Sequence, residues 1–179
     1  MTLRMWARLG LVTLVAVLVQ VGVLNQIVLG GAHLDVMLLL AISAGVVAGP
    51  QNGAVMAFAV GLVADIFVQT PYGLSSFCYV LVAYAIGLAA QALPGRPTFG
   101  FQFVAALLGG VGGTLLFAGL DSLIGQPSVP WHHLLAVSLI VAAGCVLFAN
   151  PVFRLFEWTV SDAPGARRHA GAFASGSAR

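Results

Sequence analysis

Charged side chains are scarce in this chain, only 7% of its 179 residues, so each one needs a reason. Asp65 sits inside the apolar stretch GLVADIFV, just before a Pro-Tyr-Gly turn. Asp35 and Asp121 flank other apolar runs, and His33, His132 and His133 lie near them. Three Asp and three His gathered on one side of a membrane would suit a Zn²⁺ site if they converged. No two of them have a ligand spacing such as i, i+4 on a helix, and the adjacent His132 and His133 point to different faces. A proton relay needs ionisable groups through the depth of a bundle, and only Gln20, Ser43 and Ser138 occupy intermediate depth. Neither pattern is met. No nucleophile–base pair and no glycine-rich phosphate loop stands out either. The sequence predicts no enzyme activity, no cofactor, no metal and no nucleic-acid partner.

The carboxylates are better explained by structure. Asp35 begins a helix, where free N–H groups and the positive end of the helix dipole favour an acid. Asp121 is expected to be an interfacial cap of the same kind. Asp65 is the deepest of the three. It is predicted to accept hydrogen bonds from Ser75 or Ser76, or from backbone N–H groups where Pro71-Tyr72-Gly73 starts the next helix, and so to anchor that reversal. Its outer side offers a possible cavity. Cys78 and Cys145 have no metal or redox spacing and read as small buried hydrophobes.

These residues must be held by membrane helices. Apolar residues make up 60% of the chain, and the mean hydropathy is +1.05. A soluble domain carries about a quarter charged residues. The expected class is an all-α integral membrane protein with one bundle over 1–160 and a flexible cytoplasmic tail over 161–179. About 20 apolar residues cross the hydrocarbon. Six crossings are predicted, near 9–29, 34–48, 52–69, 74–93, 99–124 and 131–149. Gly49-Pro50, Pro71 with Gly73, and Pro94-Gly95-Arg96-Pro97 mark reversals. Asn150-Pro151 is expected to kink or end the sixth span, with PVFRLFEW continuing as an interfacial helix. With both termini in the cytoplasm, Arg4, Arg8, Arg96, Arg154, Arg167, Arg168 and Arg179 all fall inside, as the positive-inside rule requires. The first span is too long for a signal peptide and is read as retained.

Small residues predict how the helices meet. Gly53, Ala57, Gly61 and Asp65 recur every four residues along one face of the third span. Ala83 and Gly87 mark the fourth, Gly109 and Gly113 the fifth. Such positions let backbones approach closely in lipid. These three spans are expected to form the tight core, with the first span facing lipid or a partner helix.

The stretch HLDVMLLLAISAGVVAGPQNGAVMAFAVGLVADIFVQTPYGLSSFCYVLVAYAIG resembles the rod-shape-determining MreD family of bacteria. That family shows an Asp opening the second span before a leucine-rich run. It then has G-x-x-x-G-F-x-x-G-L-x-x-D in the third span, a P-x-G loop, and a fourth span with Tyr and Gly. Here those positions are Asp35; Gly53, Phe58, Gly61, Leu62 and Asp65; Pro71 and Gly73; then Tyr79, Tyr84 and Gly87. Ala57 replaces a family glycine, and the GPQN turn lacks the basic residue often found there. The resemblance covers about residues 33–88.

It implies a bundle similar to the substrate-binding subunits of energy-coupling-factor transporters, seated in the bacterial cytoplasmic membrane. It implies a scaffold that binds MreC and is linked indirectly to MreB, RodA and a class B penicillin-binding protein in lateral peptidoglycan synthesis. Membrane lipid is its surroundings, and a homodimer remains open. The alternative is the substrate-binding subunit of a vitamin-type transporter with Asp65 in its pocket. Those subunits usually carry a small-xxx-small pair in the first helix, which is not evident here.

Overall fold

A computed structural model describes residues 3–22, 35–67, 73–92, 98–123 and 131–160, without the side chains of residues 3, 4, 131–133 and 160. These residues form five helices: α1 Leu3–Gly22, α2 Val36–Phe67, α3 Leu74–Gln91, α4 Phe99–Leu123 and α5 Trp131–Val160. No strand occurs among the described residues. All five helices are long and apolar enough to cross a membrane. Helices satisfy their backbone polar groups internally, which hydrocarbon demands. The chain is therefore an all-helical, multi-pass membrane protein.

The second and third expected spans both lie in α2, which is not straight. Gly49 has φ 81° and ψ 175°, far from helical values. That region of backbone space is essentially restricted to glycine. Pro50 follows, and its missing N–H is harmless at the first position of a new helical run. A Cβ placed on Gly53 would stand 2.6 Å from the carbonyl oxygen of Ala44. Nine residues of straight helix would separate those levels by about 13 Å. The two halves of α2 therefore fold back on each other.

Helix α3 lies along both halves. Its first turns meet Asp35, from the start of α2, and Asp65, from near the end. Its last residue, Gln91, has its side-chain nitrogen 3.6 Å from the Cβ position of Gly49. Every residue from Val36 to Val46 is buried. This first half of α2 is thus the centre of the bundle, in contact with α3, α4 and α5. The second expected span, not among the three expected to form the tight core, therefore lies at its centre. Hydropathy could not separate centre from periphery, because lipid-facing and core-facing side chains are equally apolar.

Small residues permit these approaches. A Cβ on Gly61 would collide with the backbone of Ser76, and one on Gly45 with the backbone of Ala83. A Cβ on Gly87 would lie 2.7 Å from Cα of Pro50. Gly109 and Gly113 instead meet side-chain tips, Ile42 Cδ1 and Leu38 Cδ1, each at 2.7 Å.

Helix α1 starts earlier than expected, and residues 23–29 of the expected first span lie outside the described residues. Met5, Leu9, Val12 and Ala16 bury one face of α1, while Leu11, Leu14 and Leu18 face outward. Helix α5 continues through Pro151 to Val160. Phe153 and Phe156 are fully buried, and Arg8 donates to the carbonyl oxygen of Trp158 at 3.2 Å. The Arg8 guanidinium also sits 4.6 Å from the Trp158 ring centroid. The expected interfacial helix is therefore a packed extension of α5. Two of its aromatic residues enter the core, and Trp158, half exposed, meets Arg8 of α1.

Candidate functional site

Two polar centres inside the bundle involve α3. Helix α3 begins at Gly73, whose φ of 96° is left-handed and whose missing side chain cannot cap the helix. The first N–H groups of any helix lack partners within it. Here Asp65 supplies the acceptors from the preceding helix. Its Oδ2 accepts from Gly73 N at 3.0 Å, Ser76 N at 3.3 Å and Ser76 Oγ at 2.8 Å. Its Oδ1 accepts from Ser75 N at 3.1 Å. The carboxylate, only 2% exposed, so acts as an N-cap borrowed across the turn. The negative charge also faces the positive end of the α3 dipole.

Asp35 opens α2 and caps it in the ordinary way. Its Oδ1 accepts from Leu38 N at 3.0 Å. Its Oδ2 accepts from the Tyr79 hydroxyl at 2.7 Å, which ties the start of α2 to α3. Gln20 of α1 accepts from Val36 N at 3.0 Å. The Cys145 thiol of α5 approaches the Asp35 carbonyl at 4.0 Å. Four helices therefore meet at one helix start. Cys145 stands near the middle of α5, so this junction lies well inside the bundle. Asp35 is more than the simple interfacial cap expected of it.

The remaining sequence candidates stand apart from these centres. Gly53, Ala57 and Gly61 are buried along α2, Ala83 and Gly87 along α3, and Gly109 and Gly113 along α4. They line helix contacts, not a chemical site. Asp121 is half-buried in the last turn of α4, and no hydrogen bond joins it to either centre. Ser43 and Ser138 donate to carbonyls of their own helices. Pro71 and His33 lie outside the described residues, as do the side chains of His132 and His133. Among the described residues, no three His, Cys, Asp or Glu side chains come together to hold a metal ion.

Sequence reasoning missed the Tyr79 hydroxyl as a partner of Asp35, Gln20 as a cap on α2, and Gly45 as a contact. One signal was available. Ser75, Ser76 and Tyr79 are three and four residues apart, a single polar face on an apolar helix. The carboxylates spend their lone pairs on donors of the same chain, so what this arrangement does is fix helix starts against one another. No protein family, curated protein or solved structure matches the chain.

Proposed function

We propose that the chain is a non-enzymatic membrane scaffold of the MreD kind, acting in the machinery that directs lateral cell-wall synthesis in bacteria. One observation carries this reading. The polar and glycine positions of the resemblance make close contacts with one another or with neighbouring backbone: Asp35 on Tyr79, Asp65 on Gly73 and Ser76, Gly61 on the Ser76 backbone, and Gly87 on Pro50, while Phe58, Leu62 and Tyr84 face outward. A motif whose carboxylates and glycines serve rigidity suits a frame that holds another protein in place. On this reading the folded-back α2 counts as two crossings. The bundle then has six, like the substrate-binding subunits of energy-coupling-factor transporters, with both termini in the cytoplasm and the bundle in the cytoplasmic membrane.

The partner on this reading is MreC, whose single membrane helix the bundle grips. Co-expression with the same organism's MreC, followed by purification in mild detergent, tests it. A stoichiometric complex is expected. Absence of a complex, with MreC itself folded, would overturn the reading and favour a ligand-binding subunit.

A further inference from the structure

Helix α1 and the second half of α2 do not close on each other. Between them runs an open groove of about 190 Å³, lined in part by Gly10, Thr13 and Val17 of α1 and by Ala59, Val63 and Phe67 of α2. Along α1 the lining extends from Trp6 to Val17, about three helical turns. Gly10 differs from the interior glycines. No atom lies within 4 Å of its Cβ position, so the space beside it is unfilled.

Thr13 marks what is missing. It lies in the groove floor and is only 5% exposed. Ser43, Thr114 and Thr159 each donate to the carbonyl four residues back on their own helix. The Thr13 hydroxyl has no hydrogen-bond partner among the described residues. In hydrocarbon a buried hydroxyl is unfavourable until an acceptor reaches it. A lipid tail has no acceptor. A helix brought close by small residues presents backbone carbonyls and polar side chains. A second copy related by a two-fold axis would set groove against groove and fill neither.

We propose that this groove seats one membrane-spanning helix of a partner protein. A small residue of that helix lies against Gly10, and an oxygen acceptor faces Thr13. The inference rests on the scaffold reading and adds the place of the grip.

A photo-cross-linking residue, p-benzoylphenylalanine, at Leu14 on the groove rim tests it, with Leu108 on the outer face of α4 as control. The chain is co-expressed with MreC from the same organism. Leu14 is expected to give an adduct that maps to the membrane helix of MreC, and Leu108 none. Gly10→Leu puts a side chain into the groove from a position whose Cβ meets nothing within 4 Å. It should abolish the adduct and lower co-purified MreC by at least about tenfold while thermal unfolding stays unchanged. Thr13→Val should weaken the complex roughly threefold. If Gly10→Leu still co-purifies MreC in full, the groove is not the seat, though the scaffold reading survives. An adduct to a second copy of this chain, or to lipid alone, also overturns the proposal. No complex with the unaltered chain removes the scaffold reading and the groove assignment together.

Discussion

Asp65 shows why a carboxylate is tolerated in an apolar helix. Its two oxygens receive three backbone N–H groups and the side chains of Ser75 and Ser76 at the start of α3, where Gly73 offers no cap. Removing the acceptor strands those donors away from water. Asp65→Leu is expected to destabilise the bundle by about 3 kcal/mol. Asp65→Asn keeps one oxygen and should lose about half as much. Thermal unfolding in detergent measures both, and an unchanged Tm for Asp65→Leu would sink the capping role. Tyr79→Phe removes one short hydrogen bond while Asp35 keeps its bond from Leu38 N, so about 1–2 kcal/mol should be lost in the same assay. These two centres were not equally legible. The donors to Asp65 lie eight to eleven residues away across one turn, within reach of local reasoning. Tyr79 lies 44 residues from Asp35, and only the packing of α3 on α2 brings them together.

At the scale of the elements, backbone conformation and close approach decide which glycines matter. Gly49 turns α2 back on itself in a conformation that a side chain disfavours. Gly49→Ala should cost about 1–3 kcal/mol, read as a lowered Tm, even though the nearest atom to its Cβ position, on Gln91, is 3.6 Å away. An unaltered Tm would mean that the chain reverses without that strained residue. Gly61 and Gly109 make a second contrast. Gly61 faces rigid backbone at Ser76, whereas Gly109 faces the flexible tips of Ile42 and Ile86. Gly61→Leu should prevent assembly of the bundle. Gly109→Ala should fold, with a loss of about 1–3 kcal/mol from overpacking. Equal tolerance of both in expression and size-exclusion profiles would refute this ordering. The helix positions were legible because apolar length and Gly-Pro breaks are local. The central place of residues 36–46 was not, because every face of every helix is apolar in a membrane and burial leaves no periodic trace. Nor was the packing of α5 past Pro151, where the sequence predicts a helix but at the membrane interface. A proline reads as a break until Phe153 and Phe156 are seen packed in the core.

For the whole molecule, the ends that meet bear on the number of crossings. Five helices crossing once each would leave the start of α1 and the end of α5 on opposite faces. Instead Arg8, near the start of α1, holds Trp158, near the end of α5. An even number of passes fits that contact, and the scaffold reading obtains it by counting the two halves of α2, either side of Gly49, as separate crossings. The arginines argue the same way: all seven fall on one side only if 34–48 and 52–69 cross separately. Gln51, exposed beside the reversal, reports on this directly. Gln51→Cys should react with a membrane-impermeant maleimide in inverted vesicles and stay unreacted in intact cells. Background should be low, since Cys78 and Cys145 are buried. Reporter fusions at the two termini should both read cytoplasmic. Labelling of Gln51→Cys from the outside would mean an inverted bundle. Labelling from neither side, or termini on opposite faces, would mean that α2 crosses once. It would also remove the six-crossing bundle on which the scaffold reading stands.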